Sequence, residues 1–426
     1  MFTDAIDDRT INITGHDYLN TVRVTLTEDG NITGAVTDTT GDARGMELFL
    51  QHRADGTDTE MHDVTGIDED TGARVDITDA YITPHVPDTI GDETDAELGF
   101  RAGTLTATTA PDGDAIVGNT VIIRFDMVNF NPPTAYLPRR DTTPLLERDT
   151  FEIHAGEYRD TEDRIEEIKE WHRPLRTGTL TIAQEVNGPP DRQVSHAAST
   201  LEPVAWLLGF TQGTLPAPIR ATIIGVDGDT PPWEFEKWYG TWRSDIGSAF
   251  TGANIARAND PFIFLDHGYD RFVDRVDAYK YRECLSWYFD ALLQERTVNA
   301  RTASIASGIE TLARRYAAFD EDVLSDTDAV ISNLADELGV PVDDLAAFST
   351  AFDESRPGSN AYFYVDTRNA VVHNDRVNVP FDDLFRDFEA ALTMFRRVIF
   401  HEFTPPGERD RYMELNDLEP RDNRFE

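Results

Sequence analysis

The chain has 426 residues and a formal net charge of −41, with 79 acidic side chains against 38 lysines and arginines. This length is enough for two or three domains that each bury a core of their own. The single cysteine, Cys284, excludes an intrachain disulfide and a zinc site built from the cysteines of one chain. The sequence shows no secretory signal and no run of about 18 apolar residues, so we expect a soluble, cytoplasmic protein.

The basic side chains are almost all arginines, and aspartate and threonine are abundant. This composition is typical of cytoplasmic proteins from a salt-accumulating, halophilic archaeon, in which the negative charge maintains solubility. At an ionic strength of about 1 M the Debye length is about 3 Å, so distant charges hardly interact. The net charge therefore does not exclude a nucleic-acid ligand, and local groups of charge decide what binds.

Short β-branched runs in residues 21 to 130 alternate apolar and polar side chains, as in TVRVTL, ELFLQH and VIIRFDMV. Turn-forming Gly, Asp and Asn residues separate them, which is typical of an antiparallel sheet. We expect a β-rich first domain over residues 1 to 145. The proline-rich stretch 131 to 144 (NPPTAYLPRRDTTP) predicts a surface connection at its end.

Residues 146 to 265 predict a mixed α/β region that either completes the first sheet or forms its own domain. The runs GTLTIAQ, IRATIIGV and FIFLD are predicted strands, and the apolar segment LEPVAWLLGF lies between the first two. The aromatic stretch PPWEFEKWYGTW offers side chains that can stack on unpaired bases or on a ligand. Glu234 and Glu236 favour a buried aromatic cluster instead.

Residues 266 to 426 have the period of helices. From Phe381 to Phe403 apolar residues recur every three or four positions, which predicts one amphipathic helix. The stretch 272 to 316 predicts two long helices, and residues 328 to 338 a shorter one that Gly339 and Pro341 end. The predicted fold class is α+β, multidomain, with a β-rich N-terminal region followed by a C-terminal bundle of four or five helices.

The segment DTRNAVVHNDR, residues 366 to 376, concentrates basic and titratable side chains in an acidic chain. On a helix, Asn369, His373 and Arg376 share one stripe, because residues three and four apart are neighbours. Arg368 lies five positions before His373, about 140° around an ideal helix. Bringing the two together requires a long reach by the arginine or a second copy of the helix across a two-fold axis.

The hexapeptide Arg368-Asn369-Ala370-Val371-Val372-His373 resembles the motif of HEPN domains, helical bundles found in RNA-cleaving toxins and antiviral defence proteins. The resemblance covers about residues 270 to 405, where a late amphipathic helix follows the motif and an earlier helix carries Glu310. The order of a β-rich region, LEPVAWLLGFTQG and a helical bundle is also similar to ApeA-type phage-defence HEPN proteins.

The resemblance implies a metal-independent endoribonuclease that needs no cofactor and acts as a homodimer through the helical bundle. The implied catalytic residues are Arg368, Asn369, His373 and Glu310. A histidine suits general acid and base chemistry near neutral pH, and an arginine binds phosphate through its planar fork. The implied partners are RNA and an antitoxin or a phage-derived trigger. Further arginines expected to bind RNA are Arg376, Arg314 and Arg315.

Other interpretations remain open on the sequence alone. The HEPN-like bundle is alternatively a non-catalytic module that binds a partner or a nucleotide, or a dimerisation device for a carbohydrate-binding or scaffold domain. Arg368 and His373 would then form surface ion pairs with Asp366 and Asp375. Glu310 lies four positions before Arg314, the spacing of a solvated ion pair. The sequence lacks a Walker phosphate loop, a dinucleotide fingerprint, a Gly-x-Ser-x-Gly elbow and the H-E-x-x-H metal spacing.

Overall fold

The computed structural model divides the chain into two units. The sheet unit is formed by Met1–Thr200 and Ala217–Ser244, and the helical unit by Leu201–Pro216 and Asp245–Glu426. The fold is mixed α+β, with a large antiparallel sheet in the N-terminal half and helices mainly in the C-terminal half. The structure describes residues 5–14, 19–39, 62–84, 98–110, 116–132, 142–157, 161–171, 174–240, 261–293, 296–316, 329–330, 333–334 and 381–409.

Thirteen strands in the described residues form one sheet with the order β4-β1-β2-β3-β6-β5-β7-β13-β12-β8-β11-β10-β9. The strands are β1 (Ala5–Thr14), β2 (Leu19–Thr27), β3 (Ile32–Thr39), β4 (His62–Asp68), β5 (Arg74–Pro84), β6 (Leu98–Ala102), β7 (Thr104–Thr108), β8 (Thr120–Val128), β9 (Thr142–Arg148), β10 (Phe151–Glu157), β11 (Arg176–Glu185), β12 (Ala217–Val226) and β13 (Phe235–Tyr239).

The first six strands close into a ring, because β4 pairs with β1 on one side and with β5 on the other. Alternate residues of each strand point inward, where they form one apolar core. The core includes Ile11, Val22, Val24, Leu26, Ile32, Val64, Val75, Ile77 and Leu105, together with Trp238 from β13. The alternation seen in the sequence therefore marks the inner and outer faces of this ring.

The remaining strands extend the sheet from β7 through β13 to the edge strand β9. The strands of residues 151 to 239 thus belong to the same sheet as the earlier ones. Helix α1 (Thr161–Trp171) packs on β11. Helix α2 (Pro190–Gln212) contains LEPVAWLLGF, and the boundary between the two units lies within it. Phe210, near the end of α2, is fully buried in the helical unit.

Ion pairs connect several strands of the sheet. Arg9 of β1 binds Asp68 at 3.1 Å and Glu236 at 2.8 Å, and its guanidinium lies over the Trp238 ring. Asp126 of β8 is almost completely buried and accepts a hydrogen bond of 2.6 Å from Arg220. Buried carboxylates of this kind need such partners, since an unpaired buried charge strongly destabilises a fold.

The described helices of the helical unit, besides the end of α2, are α3 (Pro261–Tyr279), α4 (Tyr281–Leu292), α5 (Val298–Tyr316) and α6 (Phe381–Phe403). Aromatic rings dominate their shared core. Phe210 contacts the rings of Phe264, Tyr288 and Phe400 at centroid distances of 5.2 to 6.1 Å. Phe403 packs edge to face on Tyr281 at 4.8 Å. Ring pairs of this kind add to the stabilisation that burial alone provides.

Helices α5 and α6 are neighbours that run in the same direction. The Arg301 guanidinium lies 4.2 Å from the centroid of the Phe388 ring, near the start of both helices. At their ends the Tyr316 hydroxyl bonds to the Glu402 carboxylate. Residues 317–380, which contain the Arg368 and His373 motif, come between α5 and α6 in the sequence.

Several predictions of individual elements are confirmed. The helix predicted from Phe381 to Phe403 has those bounds. GTLTIAQ lies in β11 and IRATIIGV in β12. Most of the predicted helix at residues 328 to 338 lies outside the described residues, as do ELFLQH and most of the proline-rich stretch.

Other element predictions are wrong. FIFLD, predicted as a strand, lies in α3, where Leu265, Tyr269 and Phe272 are buried at helical spacing. A short apolar run fits either a buried strand or a helix, and only its longer context distinguishes them. Residues 272 to 316 form parts of three helices instead of two, because Lys280 adopts a left-handed conformation (φ 58°) between α3 and α4. Lysine rarely adopts this conformation, so the sequence does not indicate the break.

Candidate functional site

The predicted site residues divide into two groups. Arg368, Asn369, His373 and Arg376 lie outside the described residues. Glu310, Arg314 and Arg315 lie in the last two turns of α5. The structure therefore gives the positions of the candidate residues on α5 and not those of the motif itself.

Glu310 and Arg314 form the ion pair that their spacing predicts. The Nε and Nη2 atoms of Arg314 donate to Oε1 of Glu310 at 3.0 and 2.6 Å. The Arg314 side chain remains 39% exposed, so its charge is accessible to a ligand. On α6, Arg396 donates to the Tyr288 hydroxyl at 3.2 Å and Arg397 is only 7% exposed. Arg397 is thus too buried to contribute to a basic surface.

A cluster of charged groups that the sequence analysis did not identify surrounds Glu402, at the end of α6. Its side chain is fully buried and accepts hydrogen bonds from the hydroxyls of Tyr281 and Tyr316. Nε and Nη2 of Arg271 donate to its two oxygens at 2.6 and 3.1 Å, and Arg275 lies 3.7 Å away. One carboxylate thus connects α6 to α3, α4 and the end of α5.

The sequence does carry a signal for this cluster. Glu402 follows the buried residues Phe395 and Val398 by seven and four positions, so it lies on the apolar face of α6. A glutamate on an apolar stripe needs partners, because burying an unpaired carboxylate is strongly unfavourable. The sequence does not identify those partners, since Arg271, Tyr281 and Tyr316 come from helices distant along the chain.

The exposed side of this cluster opens into a cleft of about 440 Å³ along α3. Asp266, His267, Asp270, Arg271, Asp274 and Arg275 line it. Burial lowers the pKa of His267, and the positive charges of Arg271 and Arg409 lower it further. The hydrogen bond with Glu402 raises the pKa of Arg271 and so maintains its charge.

This arrangement brings a neutral imidazole and two guanidinium groups to one cleft. A neutral imidazole can accept a proton, and a guanidinium can bind a phosphoryl oxygen. Three aspartates of α3 share the cleft and limit its positive charge. No group of three or more His, Cys, Asp or Glu side chains within the described residues is arranged to hold a metal ion.

Comparison of the chain with protein-family models, with curated proteins and with solved structures finds no match. None of the helices that the structure describes has the length and apolar character needed to cross a membrane.

Proposed function

We propose that the protein is a metal-independent endoribonuclease of the HEPN type that acts as a homodimer, with the sheet unit as its sensor or regulator. A role in antiviral defence or in a toxin-like system follows from the same resemblance. The proposal depends on one observation, the Arg368-Asn369-x-x-x-His373 spacing in the connection between α5 and α6.

The proposed reaction is attack of a ribose 2′-hydroxyl on the adjacent phosphorus, which gives a 2′,3′-cyclic phosphate and a free 5′-hydroxyl. One His373 removes the proton of the 2′-hydroxyl, and the His373 of a second copy protonates the departing 5′-oxygen. Arg368 stabilises the charge that develops on the phosphoryl oxygens, and Asn369 orients the imidazole or the phosphate. The need for a 2′-hydroxyl restricts the reaction to RNA.

The described helices support the proposal through their charges. Arg314 and Arg315 lie at the end of α5, next to Tyr316, whose hydroxyl contacts the Glu402 cluster. Arg271 and Arg275 are held in this cluster with parts of their side chains exposed. Four arginines thus lie near the ends of α5 and α6, where their partly exposed guanidinium groups could bind phosphates of RNA, although neighbouring carboxylates offset much of their charge.

The test is incubation of the purified protein with end-labelled RNA in molar KCl and a chelator, beside the variants His373→Ala and Arg368→Ala. We expect cleavage by the wild type and a loss of about 100-fold or more in each variant. His196→Ala and Arg192→Ala are matched controls, because both side chains are exposed on α2 in the sheet unit. RNA that the wild-type protein leaves intact, or cleavage that survives both substitutions, would favour a non-catalytic binding or dimerisation module.

A further inference from the structure

The sheet unit carries a polar cleft on the side of the sheet opposite its apolar core. Thr104, Thr106 and Thr108 of β7 are half-buried, and the residues between them are buried. In register with these threonines, β5 places Thr78, Asp76 and Arg74. The Oγ1 atoms of Thr78 and Thr104 are 2.6 Å apart, so these hydroxyls are already oriented. Four neighbouring hydroxyls, a carboxylate and a guanidinium thus form one polar face.

The start of α2 covers one side of this face. Asp191, in the first turn of α2, binds Lys237 of β13 at 2.9 Å, and Lys237 is in register with Thr106. On the other side Arg74 lies 3.3 Å from Asp76. Each cation of the cleft is therefore matched by one carboxylate. The polar cleft has a volume of about 470 Å³ and no excess of either charge among these four groups.

An apolar cleft of about 680 Å³ adjoins the polar one, and Ala110 and Pro190 line both. Its walls include the half-buried indole of Trp233, the ring of Pro232 and the side chain of Val117, which is 93% exposed. Each cleft alone has the size of a typical small-molecule site, and the two together are large enough for a ligand of several rings. They place the indole of Trp233 beside a dense set of hydrogen-bond donors and acceptors.

We propose that these adjoining clefts bind a neutral oligosaccharide. A sugar ring has an apolar C–H face, which matches the Trp233 indole, and hydroxyls that both donate and accept, which match the threonines, the carboxylates and the two basic side chains. A phosphate would meet Asp76 and Asp191 in the polar cleft and Asp227 and Asp229 in the apolar one. A polyamine would meet Lys237 and Arg74. A ligand without charge avoids both conflicts.

The experiment measures binding of cellotetraose, maltotetraose and chitotetraose to the full-length protein by calorimetry and saturation-transfer NMR. We expect at least one of the three to bind, with an affinity that changes less than about twofold between about 0.5 and 3 M KCl, because salt does not screen contacts to an uncharged ligand. Trp233→Ala should weaken binding about tenfold or more, and Thr106→Val about two- to tenfold.

Two matched controls separate the site from general effects on the fold. Trp287→Ala removes a partly exposed tryptophan of the helical unit, and Thr65→Val changes an exposed threonine on β4. Both should leave the affinity unchanged. The proposal is overturned if none of the three oligosaccharides binds, if the cleft variants bind as well as the controls, or if oligouridylate or spermidine binds more tightly in a salt-dependent manner.

Discussion

Glu402 and Glu310 have the same type of side chain, but their carboxylates lie in different surroundings. Glu402 is fully buried and bonded by Arg271, Tyr281 and Tyr316. Glu310 pairs with Arg314 one turn away on a partly exposed face of α5. Removing one partner of a buried ion pair leaves an uncompensated charge, whereas an exposed pair adds little to stability. The two residues should therefore make very different contributions to the free energy of unfolding.

Replacing Glu402 with Gln should lower the free energy of unfolding by about 3 kcal/mol, because the charge that binds Arg271 is lost. Glu310→Gln is the matched control and should cost about 0.5 kcal/mol or less. Urea denaturation of both variants in molar KCl measures the difference. Equal losses in the two variants would show that the Glu402 cluster does not stabilise the helical unit.

Tyr281 should make stability depend on alkaline pH. Burial raises the pKa of its hydroxyl, and the Glu402 carboxylate raises it further. Above about pH 10 the unfolded chain loses this proton while the native state retains it, so the free energy of unfolding falls as pH rises. The loss is at most about 1.4 kcal/mol per pH unit. Denaturation curves at about pH 9, 10 and 11 should show a smaller slope for Tyr281→Phe than for the wild type; an unchanged slope would refute this role.

At the scale of elements, the closed ring of strands depends on close approach between neighbouring backbones. A Cβ atom on Gly34 of β3 would collide with the carbonyl oxygen of Arg23 on β2. A Cβ atom on Gly66 of β4 would lie 2.5 Å from the carbonyl oxygen of Asn12 on β1. Backbone atoms cannot move aside as a flexible side chain can. Glycine is therefore needed at these positions because any side chain would collide with the backbone of the neighbouring strand.

Gly34→Ala should lower the free energy of unfolding by about 2 kcal/mol, since β2 and β3 must separate to admit the new methyl group. Thr33→Ala, on the same strand, is the control and should change stability by less than about 1 kcal/mol. Thermal unfolding, monitored by circular dichroism, compares the stability of the two variants. A Gly34→Ala protein as stable as the control would mean that the strands pair more loosely than the structure indicates.

Long, strongly periodic elements could be predicted from the sequence, whereas breaks and pairings could not. The apolar stripe of α6 gives its bounds without any tertiary information. The left-handed conformation of Lys280 and the helical state of FIFLD are not indicated by the local sequence, and Phe264 of FIFLD packs on Phe400 of α6, a residue distant along the chain. The spacing of the motif at residues 368 to 373 is present in the sequence itself, whereas the partners of Glu402 come from helices that only the three-dimensional arrangement brings together.

At the scale of the whole molecule, the chain passes between the two units more than once. Residues 201–216 belong to the helical unit, although the sheet unit includes the chain on both sides of them. Phe210 in this segment is fully buried among Phe264, Tyr288 and Phe400. Folding of the helical unit therefore depends on a segment that the sequence places between two strands of the sheet.

Phe210→Ala should destabilise the helical unit by about 3 to 5 kcal/mol through loss of buried aromatic contacts. Cys284 provides a probe of this unit, because burial in α4 raises the pKa of its thiol and prevents its reaction in the native state. The denaturant concentration at which Cys284 reacts with a thiol reagent should fall in the variant. Phe385 is 37% exposed, so Phe385→Ala should leave the denaturant concentration at which Cys284 reacts nearly unchanged. A similar shift of this concentration in both variants would contradict the account.

The chemistry of the RNA ends tests the proposed endoribonuclease most directly. Fragments produced by the wild-type protein in the presence of a chelator should end in 2′,3′-cyclic phosphates and begin with 5′-hydroxyls, because the 2′-hydroxyl is the nucleophile. Fragments that end in 3′-hydroxyls, or RNA that stays intact under all conditions, would contradict the assignment of Arg368 and His373 as catalytic residues.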